Sequence, residues 1–126
     1  MNQDGSLILV VDDDDEIREA LGDVLQDEGF QVVGMRDGRE ALEYLRGGTR
    51  PCAILLDLWM PGMDGWQLRY ELEREPSFAE IPIIVVTAAR GQRREDLRVA
   101  EVLTKPLRLE QLLEVLSSCC GRAAAS

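Results

Sequence analysis

The sequence predicts a doubly wound α/β domain, in which a five-stranded parallel sheet is covered by helices on both faces. Three observations carry this expectation. Short, continuous runs of branched apolar residues alternate with segments of helical periodicity. Each apolar run ends abruptly in acidic or polar residues. The 126 residues, 45% of them apolar, suffice for one ordinary core and leave no room for a second domain.

Leu7-Ile8-Leu9-Val10-Val11 is apolar throughout, as a strand buried on both faces of a parallel sheet must be, and it stops at four consecutive acids. Ile17, Leu21, Val24 and Leu25 recur at helical spacing, with Gly29 as a C-terminal stop. A second strand runs from Gln31 to Met35. Asp37 with Glu40 three residues on resembles a capping box that opens a helix through Ala41, Leu42 and Leu45, ended by Gly47-Gly48.

Ala53-Ile54-Leu55-Leu56 forms a third buried strand running into Asp57. A Pro61-Gly62 turn and a helix from about Gly65 to Arg74 follow, with Asp64 as the expected cap. Ile83-Ile84-Val85-Val86 is a fourth strand ending at Thr87. A short fourth helix is expected between about Arg93 and Ala100, and a fifth strand ends near Lys105. Leu109, Leu112, Leu113 and Leu116 mark a fifth helix. The domain is expected over residues 1–120, with 121–126 as a disordered tail or an expression remnant. Strands alternating with helices close into a parallel sheet by right-handed crossovers.

A net charge of −10 disfavours contact with a nucleic-acid backbone or an anionic membrane. No segment approaches the roughly 20 apolar residues that span a bilayer, and no basic-then-apolar leader opens the chain, so a cytoplasmic protein is expected. Histidine is absent, which excludes His-dependent catalysis and an internal phosphohistidine donor. Cys52, Cys119 and Cys120 match neither a zinc spacing nor an even disulfide framework, so inert thiols in a reducing compartment are expected. Of the adjacent pair, one is expected to pack and the other to be exposed, since neighbours on a helix face different ways.

Ligands of open α/β sheets bind beyond the carboxyl ends of the strands, where Asp12, Asp13, Asp57, Thr87 and Lys105 all fall. Three crowded carboxylates repel one another unless a cation sits among them. All-oxygen donors favour Mg²⁺, with Mn²⁺ as a substitute. Such a cluster suits phosphoryl transfer to Asp57, with positive charge from the metal and the Lys105 ammonium around the equatorial oxygens. Taken singly, each residue has a plain reading; Asp14 and Asp15 are assigned to a solvated helix start.

Val10-Val11-Asp12-Asp13-Asp14, Leu56-Asp57-Leu58-Trp59-Met60-Pro61-Gly62-Met63-Asp64-Gly65, Val86-Thr87-Ala88 and Thr104-Lys105-Pro106 together resemble the response-regulator receiver family, including its single-domain chemotaxis type, over nearly the whole chain. The resemblance implies a flavodoxin-like strand order 2-1-3-4-5. It makes Asp57 the phosphoacceptor, Asp13 a direct metal ligand, Asp12 a water-mediated one, and the Trp59 backbone carbonyl a further ligand. It implies that Lys105 pairs with the acceptor or its phosphoryl group, that the Thr87 hydroxyl swings toward the phosphoryl group, and that the bond before Pro106 is often cis.

A receiver of this kind takes phosphate from a histidine kinase or histidine phosphotransfer protein. It then acts on a downstream protein through the face formed by the fourth helix, fifth strand and fifth helix. It would catalyse its own phosphorylation and dephosphorylation while serving chiefly as a switch, as a monomer or weak dimer, either stand-alone or excised from a larger regulator.

The chain departs from the family in three places. The stretch from Thr87 to Lys105 is short, so output is expected to depend on the segment from Ala88 to Ala100. Val102 stands where an aromatic partner of the switch threonine is common. Bulky Trp59, with Ala89, is expected to tune how long the phosphoryl group survives. Two other functions compete: a metal-dependent phosphohydrolase with Asp57 as nucleophile, which usually carries an acid where Trp59 stands, and a flavodoxin-like cofactor binder, whose phosphate the Asp12–Glu16 run would repel.

Overall fold

The computed structural model describes residues 7–57, 65–87 and 99–120. Five parallel strands, β1 (Leu7–Val11), β2 (Gln31–Met35), β3 (Ala53–Asp57), β4 (Ile83–Thr87) and β5 (Glu101–Thr104), form one sheet in the order β2-β1-β3-β4-β5. The described residues also hold four helices, α1 (Asp15–Asp27), α2 (Gly38–Arg46), α3 (Gly65–Arg74) and α4 (Leu109–Cys120). The expected helix between 93 and 100 lies mostly outside the described residues, and its described end, Val99–Ala100, is a bend.

Alternation along the central strands divides the core into two layers. Leu9, Val11, Ile54, Leu56, Ile83 and Val85 face α2 and α3, where Ala41, Leu42, Leu45, Leu68 and Leu72 cover them. Ile8, Val10, Ala53, Leu55 and Ile84 face α1 and α4, which contribute Leu25, Leu112 and Leu116. A strand buried on both sides is apolar along its length, which is why β1, β3 and β4 read as apolar runs, with polar residues only at the last positions of β3 (Asp57) and β4 (Thr87). β2 and β5 are edge strands and only partly buried. Val102 of β5 packs against the α2–α3 layer.

The helix ends carry their expected chemistry, with one refinement. Asp14 caps α1, its side chain accepting from the backbone N–H groups of Glu16 and Ile17. The far end of α1 closes through Gly29 at φ 98°: its N–H donates to Gln26 O and the Phe30 N–H to Leu25 O, at 3.0 Å each. At α2, Asp37 accepts from Glu40 N, but the Glu40 carboxylate reaches past the cap to accept from Arg36 N at 3.0 Å.

The cysteines overturn the expectation of inert thiols. Cys52 and Cys120 form a disulfide across 68 positions, and Cys119 is the free thiol. The odd count and wide spacing hid the pair; the last turn of α4 passes close to the residue before β3 and brings the two Cα atoms to 5.3 Å. Cys119 and Cys120 do not divide into one packed and one exposed residue, since both are half-buried.

Among the described residues no helix is long and apolar enough to cross a membrane.

Candidate functional site

The parallel register puts the ends of four neighbouring strands at one edge of the sheet. Val11 pairs with Leu56, Asp57 with Val86, and Thr87 with Thr104, so the residues at and just after those positions stand side by side. Asp12 is anchored by its N–H to Met35 O at 3.1 Å, and Lys105 by its N–H to Thr87 O at 2.8 Å. The Lys105–Pro106 bond is cis.

Among the described residues the buried polar side chains are those of Asp12 (4% exposed), Asp57 (9%) and Thr87 (0%). Oxygens of Asp12, Asp13 and Asp57 lie within 4.8 Å of one another, with Asp13 on the exposed side. The Lys105 Nζ stands 3.9 Å from Oδ2 of both Asp12 and Asp57. Burial pushes the Asp12 carboxyl above its ordinary value, and the nearby Asp13 and Asp14 add to this. A hydrogen bond from the Asp14 N–H, at 2.9 Å, and the Lys105 charge work against it.

These residues fit a hard divalent cation. The donors are all carboxylate oxygens, and they lie close enough together, within 4.8 Å of one another, to share one ion. Among the described residues three carboxylates face one ammonium, so a dication would relieve their mutual repulsion. Trp59, expected to add its backbone carbonyl, lies outside the described residues, as do Asp64, Ala88 and Ala89.

Sequence reasoning missed Arg18. Its Nη1 donates to the Asp12 backbone carbonyl at 2.7 Å, and Nη2 pairs with Asp15. Its aliphatic stem crosses Gly34 of β2. A signal was present: a glycine inside an apolar strand marks the close approach of another group, and Arg18 sits one turn into the helix that the acids open.

The comparisons with known proteins agree with this geometry. Residues 8–117 match the model of the response regulator receiver domain. The response regulator MprA of Mycolicibacterium vanbaalenii is 38% identical over 110 residues, covering 84% of this chain and 46% of that protein. The chain thus spans about half the length of the curated relatives it matches. Among solved structures, the chemotaxis response regulator CheY4 of Vibrio cholerae has a TM-score of 0.81 and 30% identity, covering 90% of this chain and 98% of that one. The receiver domain of sensor histidine kinase PA1611 from Pseudomonas aeruginosa PAO1, with a magnesium ion in its active-site cleft, has a TM-score of 0.83 and 27% identity over 93% and 98% of the two chains. The phosphohydrolase alternative finds no support among them. The strand order, the acidic edge and these matches lead to one conclusion: this chain belongs to the response regulator receiver domain family.

Proposed function

We propose that Asp57 accepts the phosphoryl group from a phosphohistidine of a histidine kinase or phosphotransfer protein. An Asp57 carboxylate oxygen attacks phosphorus in line as the P–N bond breaks, and the histidine nitrogen keeps the electron pair. The observation that carries the reading is the Asp57 carboxylate at a strand end, clustered with Asp12 and Asp13 and 3.9 Å from the Lys105 ammonium.

In this proposal Asp12, Asp13 and Asp57, with the Trp59 carbonyl, hold Mg²⁺, or Mn²⁺ in its place. The ion would supply positive charge to the transferring group. Lys105 first neutralises the acceptor carboxylate and then pairs with the phosphoryl oxygens. Thr87 donates its hydroxyl to a phosphoryl oxygen and so couples the chemistry to the segment that follows β4. The receiver unit is taken as residues 1–120. It acts in the cytoplasm as a monomer or weak dimer, and its output face comprises β5, α4 and the segment before β5.

Incubation with a small-molecule phosphodonor tests this by intact mass. One added phosphoryl is expected, requiring Asp57 and lost on chelation or in Asp57→Ala, with Mn²⁺ restoring it. Multiple turnover of donor without an accumulating adduct would favour hydrolysis over signalling.

A further inference from the structure

The disulfide joins two parts of the chain far from the carboxylates. Cys52 directly precedes β3 at its amino end, whereas Asp57 closes the carboxyl end. Cys52 is also held by the backbone: its N–H donates to Leu7 O at 2.8 Å, a bond that does not depend on the sulfur. The last turn of α4 has less to hold it. Leu112 and Leu116 are the fully buried residues of this helix, and beyond Leu116 the apolar contacts with the sheet layer come from Cys119 and Cys120.

Both bonded cysteines are half-buried, which leaves the pair within reach of a small thiol. Cys119 does not compete. Burial, and then the Glu101 charge, push its thiol above the ordinary value, so little of the nucleophilic thiolate is present.

We propose that Cys52 and Cys120 form a reversible thiol–disulfide couple, a redox modification site that pins the final turn of α4 to the amino end of β3 when oxidised and frees it when reduced. The partner is a small disulfide such as glutathione disulfide. The two cysteine thiols lose two protons and two electrons as the S–S bond forms, and one glutathione disulfide takes them up to give two glutathione thiols. Reduction is the reverse.

The proposal is independent of phosphoryl transfer and is tested on the full chain equilibrated across glutathione ratios, trapped with a maleimide and weighed intact. The oxidised protein should carry one label and the reduced protein three; Cys119→Ser should carry none and two. Reduction should speed amide exchange over Ser117–Cys120 at least tenfold and lower the melting temperature by on the order of 10 °C. Asp57 labelling by a small phosphodonor should persist in both forms. Three labels under oxidising conditions, pairing through Cys119, a bond that stays closed at every glutathione ratio, unchanged exchange in α4, or loss of Asp57 labelling on reduction would each overturn the proposal.

Discussion

Arg18 lies across Gly34 so closely that a methyl group on the glycine would sit 2.9 Å from both Cγ and Cδ of the arginine. The arginine cannot easily move aside, because its guanidinium is bonded to the Asp12 carbonyl and paired with Asp15. A missing side chain on an edge strand therefore makes room for the group that grips the residue after β1.

Gly34→Ala should destabilise the domain by about 1–2 kcal/mol, the range for overpacking a tight contact, and should weaken Mg²⁺-dependent phosphorylation by disturbing Asp12. In an Arg18→Ala background the same alanine should cost much less. A double-mutant cycle by urea unfolding checks this, and strictly additive effects would show that the two residues are not coupled.

Asp13 is the exposed member of the carboxylate cluster and the simplest to neutralise. Relief of repulsion should make Asp13→Asn more stable than the parent by about 1 kcal/mol in chelator. The parent should gain about 2.7 kcal/mol when Mg²⁺ reaches 100 times its dissociation constant, and the variant much less. Thermal melts with and without Mg²⁺ separate the cases; equal metal stabilisation of both proteins would remove Asp13 from the ligand set.

Asp14 satisfies two otherwise unpaired N–H groups at the start of α1. Asp14→Ala should cost about 1 kcal/mol of stability, and Asp14→Ser should recover most of it. A chemical-denaturation midpoint that does not move with either change would contradict the capping role.

Glu40 accepts from the Arg36 backbone N–H and from its guanidinium, which together hold the Glu40 carboxyl below its ordinary value. A depressed folded-state value means stabilisation that is present above the unfolded value and lost as pH falls through the folded one. Glu40→Gln should accordingly flatten the acid limb of the stability curve just below the ordinary glutamate range. Melting curves of the two proteins that run parallel through that range would refute the pairing.

Much of this domain could be read locally. A continuous apolar run such as Ile54-Leu55-Leu56 specifies a strand buried on both faces, and the abrupt change to Asp57 marks the strand end where a ligand can sit. Asp14, Asp37 and Gly29 announced helix ends because capping is a matter of a few neighbouring residues. Convergence of Asp12, Asp57, Thr87 and Lys105 was legible because each closes or follows a strand of one parallel sheet.

Other features could not be placed from neighbouring residues alone. The partner of Cys52 is set by where the last turn of α4 comes to rest, 68 residues on. Arg18 gained its place because β2 pairs beside β1 and offers a bare glycine under it. The sequence by itself determined the elements and the chemistry at their ends, since periodicity and caps depend on adjacent residues. Only the tertiary structure decided which side chains from distant elements meet, because such contacts depend on register and side-chain direction once the layers have closed.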